Sequence, residues 1–325
     1  MNNFKKILST FLAFVLMLSL VSCGGNTAGT KSGGVTRITL ASGGTSGTYY
    51  GFSGVVAQRL NTVAKDKMKI NVVSTGASKA NVQMINDGSA NIAIIQNDVM
   101  SYAYNGTDMF AGQDAIQSFS AIASCYPESI QIIANKSITS IDELKGKRVS
   151  VGDAGSGTEF NTKQILAAYG IDMETDITKS NLSFADSCDK LKNGGLDAAF
   201  ITAGHPTTAV TELATNFDFN ILPIDDSHAN ALIKQYGFYT KVNITKDSYS
   251  VLNNDVQTVA VMATYIANNN LDKETVYAFT KALFEEKENF NHQKAQLLDP
   301  KTGISGISIP FHEGALEYYK ELNLK

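Results

Sequence analysis

The chain has 325 residues, 27 basic against 31 acidic side chains and a formal net charge of −4, long enough for two lobes with separate cores. No basic patch stands out, which excludes a nucleic-acid partner. The four histidines (His205, His228, His292, His312) show no short ligand spacing, so neither a metal nor another cofactor is expected.

In chain order, Lys5 and Lys6 precede an apolar run from Ile7 to Val21, the pattern of a secretory signal peptide over residues 1–22. The run is shorter than the roughly 20 residues a spanning helix needs. It ends in Leu20-Val21-Ser22-Cys23, which resembles a bacterial lipobox and marks Cys23 for lipidation. The expected location is extracytoplasmic, anchored by lipid to the bacterial cell membrane. Residues 23–34, rich in Gly, Thr and Ser, read as a flexible tether.

Thr36 to Leu40 is a β-branched strand that enters Gly43-Gly44-Thr45-Ser46-Gly47-Thr48-Tyr49-Tyr50-Gly51. A helical pattern follows through Phe52, Val56, Leu60 and Val63. A glycine loop between a strand and a helix is an anion site in outline, because backbone N–H groups and the positive dipole end converge there. Ile70 to Ser74 is the next strand, with Thr75 to Ser78 capping a helix through Val82 and Ile85. Ile92 to Gln96 follows, with Asp98 capping the helix after it.

A second unit repeats the plan. Arg148 to Val151 runs into Gly152-Asp153-Ala154-Gly155-Ser156-Gly157-Thr158-Glu159, then a helix to Tyr169. Asp87 to Ile95 likewise parallels Asn193 to Ile201 at an offset of 106. Ser140-Ile141-Asp142-Glu143 fits a capping box. Tyr239 to Ile244 and Val256 to Ala263 read as later strands, followed by a helical region from Lys273 to about His292 and a last helix from about His312 to Leu322. Alternating strands and helices predict an α/β architecture of two lobes with mainly parallel pairing and a ligand cleft between carboxyl edges. Lobe one takes residues 35–125 and 240–325, lobe two 126–239. Hinge crossings fall near Tyr126–Glu128 and Tyr236–Lys241. Cys125 and Cys188 read as buried free thiols.

Four stretches together resemble the TAXI-type extracytoplasmic solute receptors of TRAP transporters. They are Gly43 to Tyr50, Gly146 to Glu159, Asp197 to Phe200 with Thr202 to Pro206, and Ile309 to Ala315 with Tyr318 and Tyr319. The resemblance covers nearly all of the mature chain. It departs at Ala77, where the family usually has a second glycine, and at Phe311, where it usually has leucine. The resemblance implies a periplasmic-binding-protein-like fold that is monomeric, is not an enzyme, and closes on a small organic anion such as glutamate, 2-oxoglutarate or a similar dicarboxylate. It would pass that ligand to an ion-driven TRAP-type membrane permease.

The three arginines, Arg37, Arg59 and Arg148, lie outside the expected cleft loops, so carboxylate recognition is assigned to backbone N–H groups, hydroxyls and amides. The expected ligand residues are Gly47, Thr48, Tyr49, Tyr50, Ser78, Asn81, Gln96 and Asp98 from lobe one. Lobe two is expected to supply Ser156, Gly157, Thr158, Thr202 and Gly204. Ser78 and Asp98 also suit plain helix caps, and an Asp98 carboxylate in the cleft would favour an amine-bearing ligand over succinate. Ser187-x-x-Lys190 and Lys301-Thr302-Gly303 mimic two motifs of serine penicillin-recognising enzymes, but the element between them is missing. The remaining alternative keeps the fold and changes its use, to another solute, an ATP-driven importer, or signalling.

Overall fold

The computed structural model describes residues 31, 32 and 34–325. The leader, Cys23 and most of the tether lie outside the described residues. Strands β1 (Lys31–Ser32), β2 (Val35–Ala41), β3 (Met68–Val73) and β4 (Ile92–Gln96) alternate with helices α1 (Thr48–Val63), α2 (Ser78–Asn86) and α3 (Asn97–Asn105). β2 pairs in parallel with both β3 and β4. Every residue of β4 is buried, as its unbroken apolar run requires of a strand covered on both faces.

The long strand β5 (Phe119–Asn135) then enters a second α/β unit. Its strands are β6 (Arg148–Ser150), β7 (Thr178–Ser180), β8 (Ala198–Ala203) and β9 (Phe219–Ile221), and its helices α4 (Gly157–Ala168), α5 (Phe184–Lys192), α6 (Thr208–Ala214) and α7 (Asp226–Tyr236). β10 (Thr240–Ile244) and β11 (Val256–Asn268) follow, then α8 (Lys273–Glu285), the short α9 (Pro300–Gly303) and α10 (Glu313–Glu321). The spatial order is β1-β2-β4-β11-β5-β8-β6-β7, with β3 on β2, β10 on β11 and β9 on β5. β5 and β11 therefore lie side by side between the two parallel halves.

Helices cover both faces of each half. In the first half, Phe52, Val56, Leu60, Tyr265 and Phe279 share one core, and Val82, Ile85, Val99 and Phe110 share the other. In the second, Ile132, Val149, Ile165 and Phe200 pack on one face, and Leu191, Ile201, Val210 and Phe219 on the other. Cys125 and Cys188 are buried free thiols in different cores.

The fold departs from several expectations. The return crossing does not fall at Tyr236–Lys241. Tyr239, Val259 and Val261 pack in the second half's core, and Ile244, Tyr249 and Val256 against its other face. Ala263 and Tyr265 belong to the first half, so the chain crosses back inside β11, at a register shift between Ala263 and Thr264. Antiparallel pairing explains this, since a long strand beside β5 is held wherever β5 runs. The helical region from Lys273 stops at Glu285, and the chain turns so that Phe290 and Ala295 reach the first core. Neither Ser78 nor Asp98 caps a helix from the N-cap position, because those positions are Ala77 and Gln96. The Ser140–Glu143 box is present, on a single 3-10 turn, Ile141–Leu144.

Ala77 enters α2 with φ 66° and ψ −149°, a backbone conformation essentially reserved for glycine. Relieving such strain is worth about 1–3 kcal/mol, whereas the extra unfolded-state freedom of glycine costs about 0.4–1 kcal/mol. Ala77→Gly should therefore raise stability by about 1 kcal/mol in urea unfolding, and a loss of stability would show that Ala77 is unstrained.

Candidate functional site

The carboxyl ends of β2, β3, β4, β6, β7 and β8 all open on one cavity between the two halves, with about 40 Å³ of water-accessible space. That is room for about three waters, at about 10–15 Å³ each. Convergence at this edge follows from topology, because parallel strands followed by helices present every strand-to-helix loop on the same side.

From the first half, Gly43, Gly44, Ser46, Gly47, Thr48 and Tyr49 line it, with Ala77 and Ser78 at the start of α2 and Gln96 at the end of β4. Glu128 reaches it from the middle of β5. From the second half come Asp153, Ser156, Gly157 and Thr158 before and within α4, Phe184 at the start of α5, and Thr202 and Ala203 at the end of β8. The Gly47 N–H closes a turn on the Gly44 carbonyl at 2.9 Å, which aims the start of α1 at the cavity. No side chain caps α1 or α2, so their first-turn N–H groups are left to whatever occupies the cavity. At α4, Ser156 Oγ accepts from the Glu159 N–H at 3.1 Å.

Nine of the expected ligand residues line the cavity: Gly47, Thr48, Tyr49, Ser78, Gln96, Ser156, Gly157, Thr158 and Thr202. Four do not. Tyr50 is half-buried elsewhere on α1. The Asn81 amide donates to the carbonyls of Ser42 and Ile94, joining β2 and β4. Asp98 lies behind the cavity wall, where its Oδ2 accepts from Asn161 Nδ2 at 2.9 Å. Gly204 is in the seam, its carbonyl accepting from Thr48 Oγ1 at 2.8 Å. Sequence reasoning passed over Glu128, Asp153 and Phe184. Asp153 carried a signal, since it sits within the second glycine loop; Glu128 and Phe184 carried none.

The two halves meet across a polar seam. Gln96 Nε2 donates to Asn161 Oδ1 at 2.6 Å, Thr202 Oγ1 donates to the same oxygen at 3.3 Å, and Gln164 Nε2 donates to the Tyr102 hydroxyl at 3.1 Å. The Lys294 ammonium donates to the His205 carbonyl. Gly157 makes this approach possible, since a Cβ there would overlap Gln96 Oε1.

No lysine, arginine or histidine is among the lining residues. Arg59 pairs with Glu286 at 2.6 Å, Arg148 grips both oxygens of Asp197, and Arg37 is exposed. Burial pushes the Asp98 carboxyl up to about 6 against the pull of its Asn161 hydrogen bond, and pushes Lys294 down to about 8. Glu128 is raised well above the usual carboxylate range, mainly by burial; the Tyr49 hydroxyl, donating to its Oε2 at 2.6 Å, opposes this.

Gly157→Ala, whose methyl cannot coexist with Gln96 in the closed seam, should weaken ligand binding at least about tenfold while the fold persists, and scattering should show no compaction on ligand addition. An unchanged affinity would mean that closure does not bring Gly157 against Gln96. Asp98, protonated longer in the folded than in the unfolded chain, makes stability fall as pH rises from about 4 to about 6, by about 3 kcal/mol at most. Asp98→Asn should flatten that slope in urea unfolding, and an undiminished slope would assign it elsewhere.

The chain is similar in fold to PhnD1 from Prochlorococcus marinus (MIT 9301), solved in complex with methylphosphonate. Identity is 10% and the TM-score 0.50, over 89% of this chain and 99% of that one. It is also similar to a periplasmic transporter, at 14% identity and TM-score 0.51 over 89% and 92%, and to a protein from Bordetella bronchiseptica RB50, at 17% identity and TM-score 0.50 over 89% of each. Such likenesses establish the α/β periplasmic-binding-protein-like fold. The NMT1-like family matches residues 40–322. The chain therefore belongs to the NMT1-like family.

Proposed function

We propose that this protein is an extracytoplasmic solute receptor that closes its two lobes on a small organic anion and delivers it to a membrane transporter. The observation that carries this is the convergence of five helix starts, α1 to α5, three of them without side-chain caps, on one interlobe cavity. First-turn N–H groups and the aligned dipoles stabilise an anion without a basic side chain. The expected ligand residues that line the cavity surround that position with hydroxyls and an amide. The polar seam suits a receptor that opens and shuts, because its hydrogen bonds exchange with water at little net cost.

The four motif stretches favour an ion-driven TRAP-type permease as the recipient and a dicarboxylate such as glutamate or 2-oxoglutarate as cargo. Lipidation at Cys23 would hold the receptor at the membrane, beside that permease. The fold shared with PhnD1 favours a second reading, in which the anion is a phosphonate and the importer is ATP-driven. A permease gene of the TRAP type beside this one would support the first, and an ATPase gene the second.

Thermal unfolding against glutamate, glutamine, 2-oxoglutarate, succinate, taurine and methylphosphonate tests the proposal. A bound anion at about 100 times Kd should add about 2.7 kcal/mol, a shift of a few degrees. Thr158→Ala should weaken the best ligand by about 1–3 kcal/mol through loss of one donor. Absence of any shift across the panel would overturn the anion reading.

A further inference from the structure

The cavity holds one ionisable group that an anion site does not need. Glu128 is 2% exposed, sits in the middle of β5, and lines the cavity opposite no basic side chain. Only one of its oxygens, Oε2, is engaged by Tyr49. The seam's buried cation, Lys294, is turned to the His205 carbonyl. Asp153, the other lining carboxyl, adds negative charge and no compensation.

Charge arithmetic separates the ligand classes. Each helix start contributes roughly half a positive charge, so the five that line the cavity balance about two ligand negative charges. Nothing remains to neutralise Glu128, so burial favours its protonated form while it is unpaired, because an ionised carboxylate in a dry cavity is costly. A simple carboxylate or dicarboxylate offers it no counter-charge. A ligand carrying an ammonium does, and the charge-assisted bond formed as Glu128 ionises is of the strong class.

We infer that Glu128 is a specificity-determining residue, and that it takes the ammonium of an amino-acid-like zwitterion whose acidic group lies at the helix starts. This rests on the reading of the cleft as an anion site. Tyr49, bonded to the same carboxylate, orients it. The class of solute is then one in which amine and acid are joined by a short chain, and removal of the amine alone weakens recognition.

Matched pairs that differ at the amine test this by calorimetry on the full chain: glutamate against 2-oxoglutarate, alanine against pyruvate, and aminomethylphosphonate against methylphosphonate. In at least one pair the amine member should bind at least about tenfold more tightly, and Glu128→Gln should erase that preference by weakening the amine member. If Glu128→Gln fails to fold, Tyr49→Phe takes its place and should narrow the preference. Amine-free members binding wild type as tightly as their partners, or a preference that survives the substitution, would overturn the inference and leave the anion receptor standing. If no member of any pair binds, both fall together.

Discussion

The antiparallel pairing of β5 with β11, from Phe119 opposite Asn268 to Ser129 opposite Ala260, is the constraint from which the rest of the architecture follows. Both strands run through both halves. The halves are thereby locked in order, and beyond this pair they also touch where Phe160 and Phe238 pack edge-on against Tyr102. A register shift within β11 and Pro127 in β5 fall where the chain passes from one core to the other. Hydrogen-bonded neighbours that cross together keep the ladder continuous from one half to the other.

β4 ends opposite Ala263 of β11 and β8 ends opposite Ser129 of β5, so the parallel strands of the two halves run in opposite senses towards the middle of that pair, and their loops face each other. The cleft is a by-product of topology. Helix starts then decide its chemistry, and arginine is not required: Arg59 and Arg148 are engaged in ion pairs on the outer surface. Glu128 is the exception within this scheme. It is placed by β5, the strand that runs through both halves.

Much of the site was legible because a glycine loop between a strand and a helix has a local signature. Gly47, Thr48, Gly157 and Thr158 were found that way, and Ser78 and Gln96 from the ends of neighbouring elements. Asn81 and Asp98 also lie at helix starts, but which face of a first turn meets the cavity depends on how the helix is rotated against its sheet. Asn81 turns inward to bridge β2 and β4, and Asp98 turns towards Asn161. Glu128 could not be found at all. In sequence it is a charged residue after a proline, and only the alternation of a long strand, fixed by pairing with β11, points it inward.

The amino-acid pattern by itself determined the α/β class, the two repeated units, the glycine loops and the starts of the helices, because these depend on interactions within a few residues. It also carried the likeness to solute receptors, since the motifs lie in order over most of the chain. Only the tertiary structure decided where the chain crosses between the two halves, which polar side chains share the cavity and which acids line it. Those depend on partners more than a hundred residues apart, as with Ala260 beside Ser129 and Gly204 beside Thr48, and no local pattern encodes such a meeting.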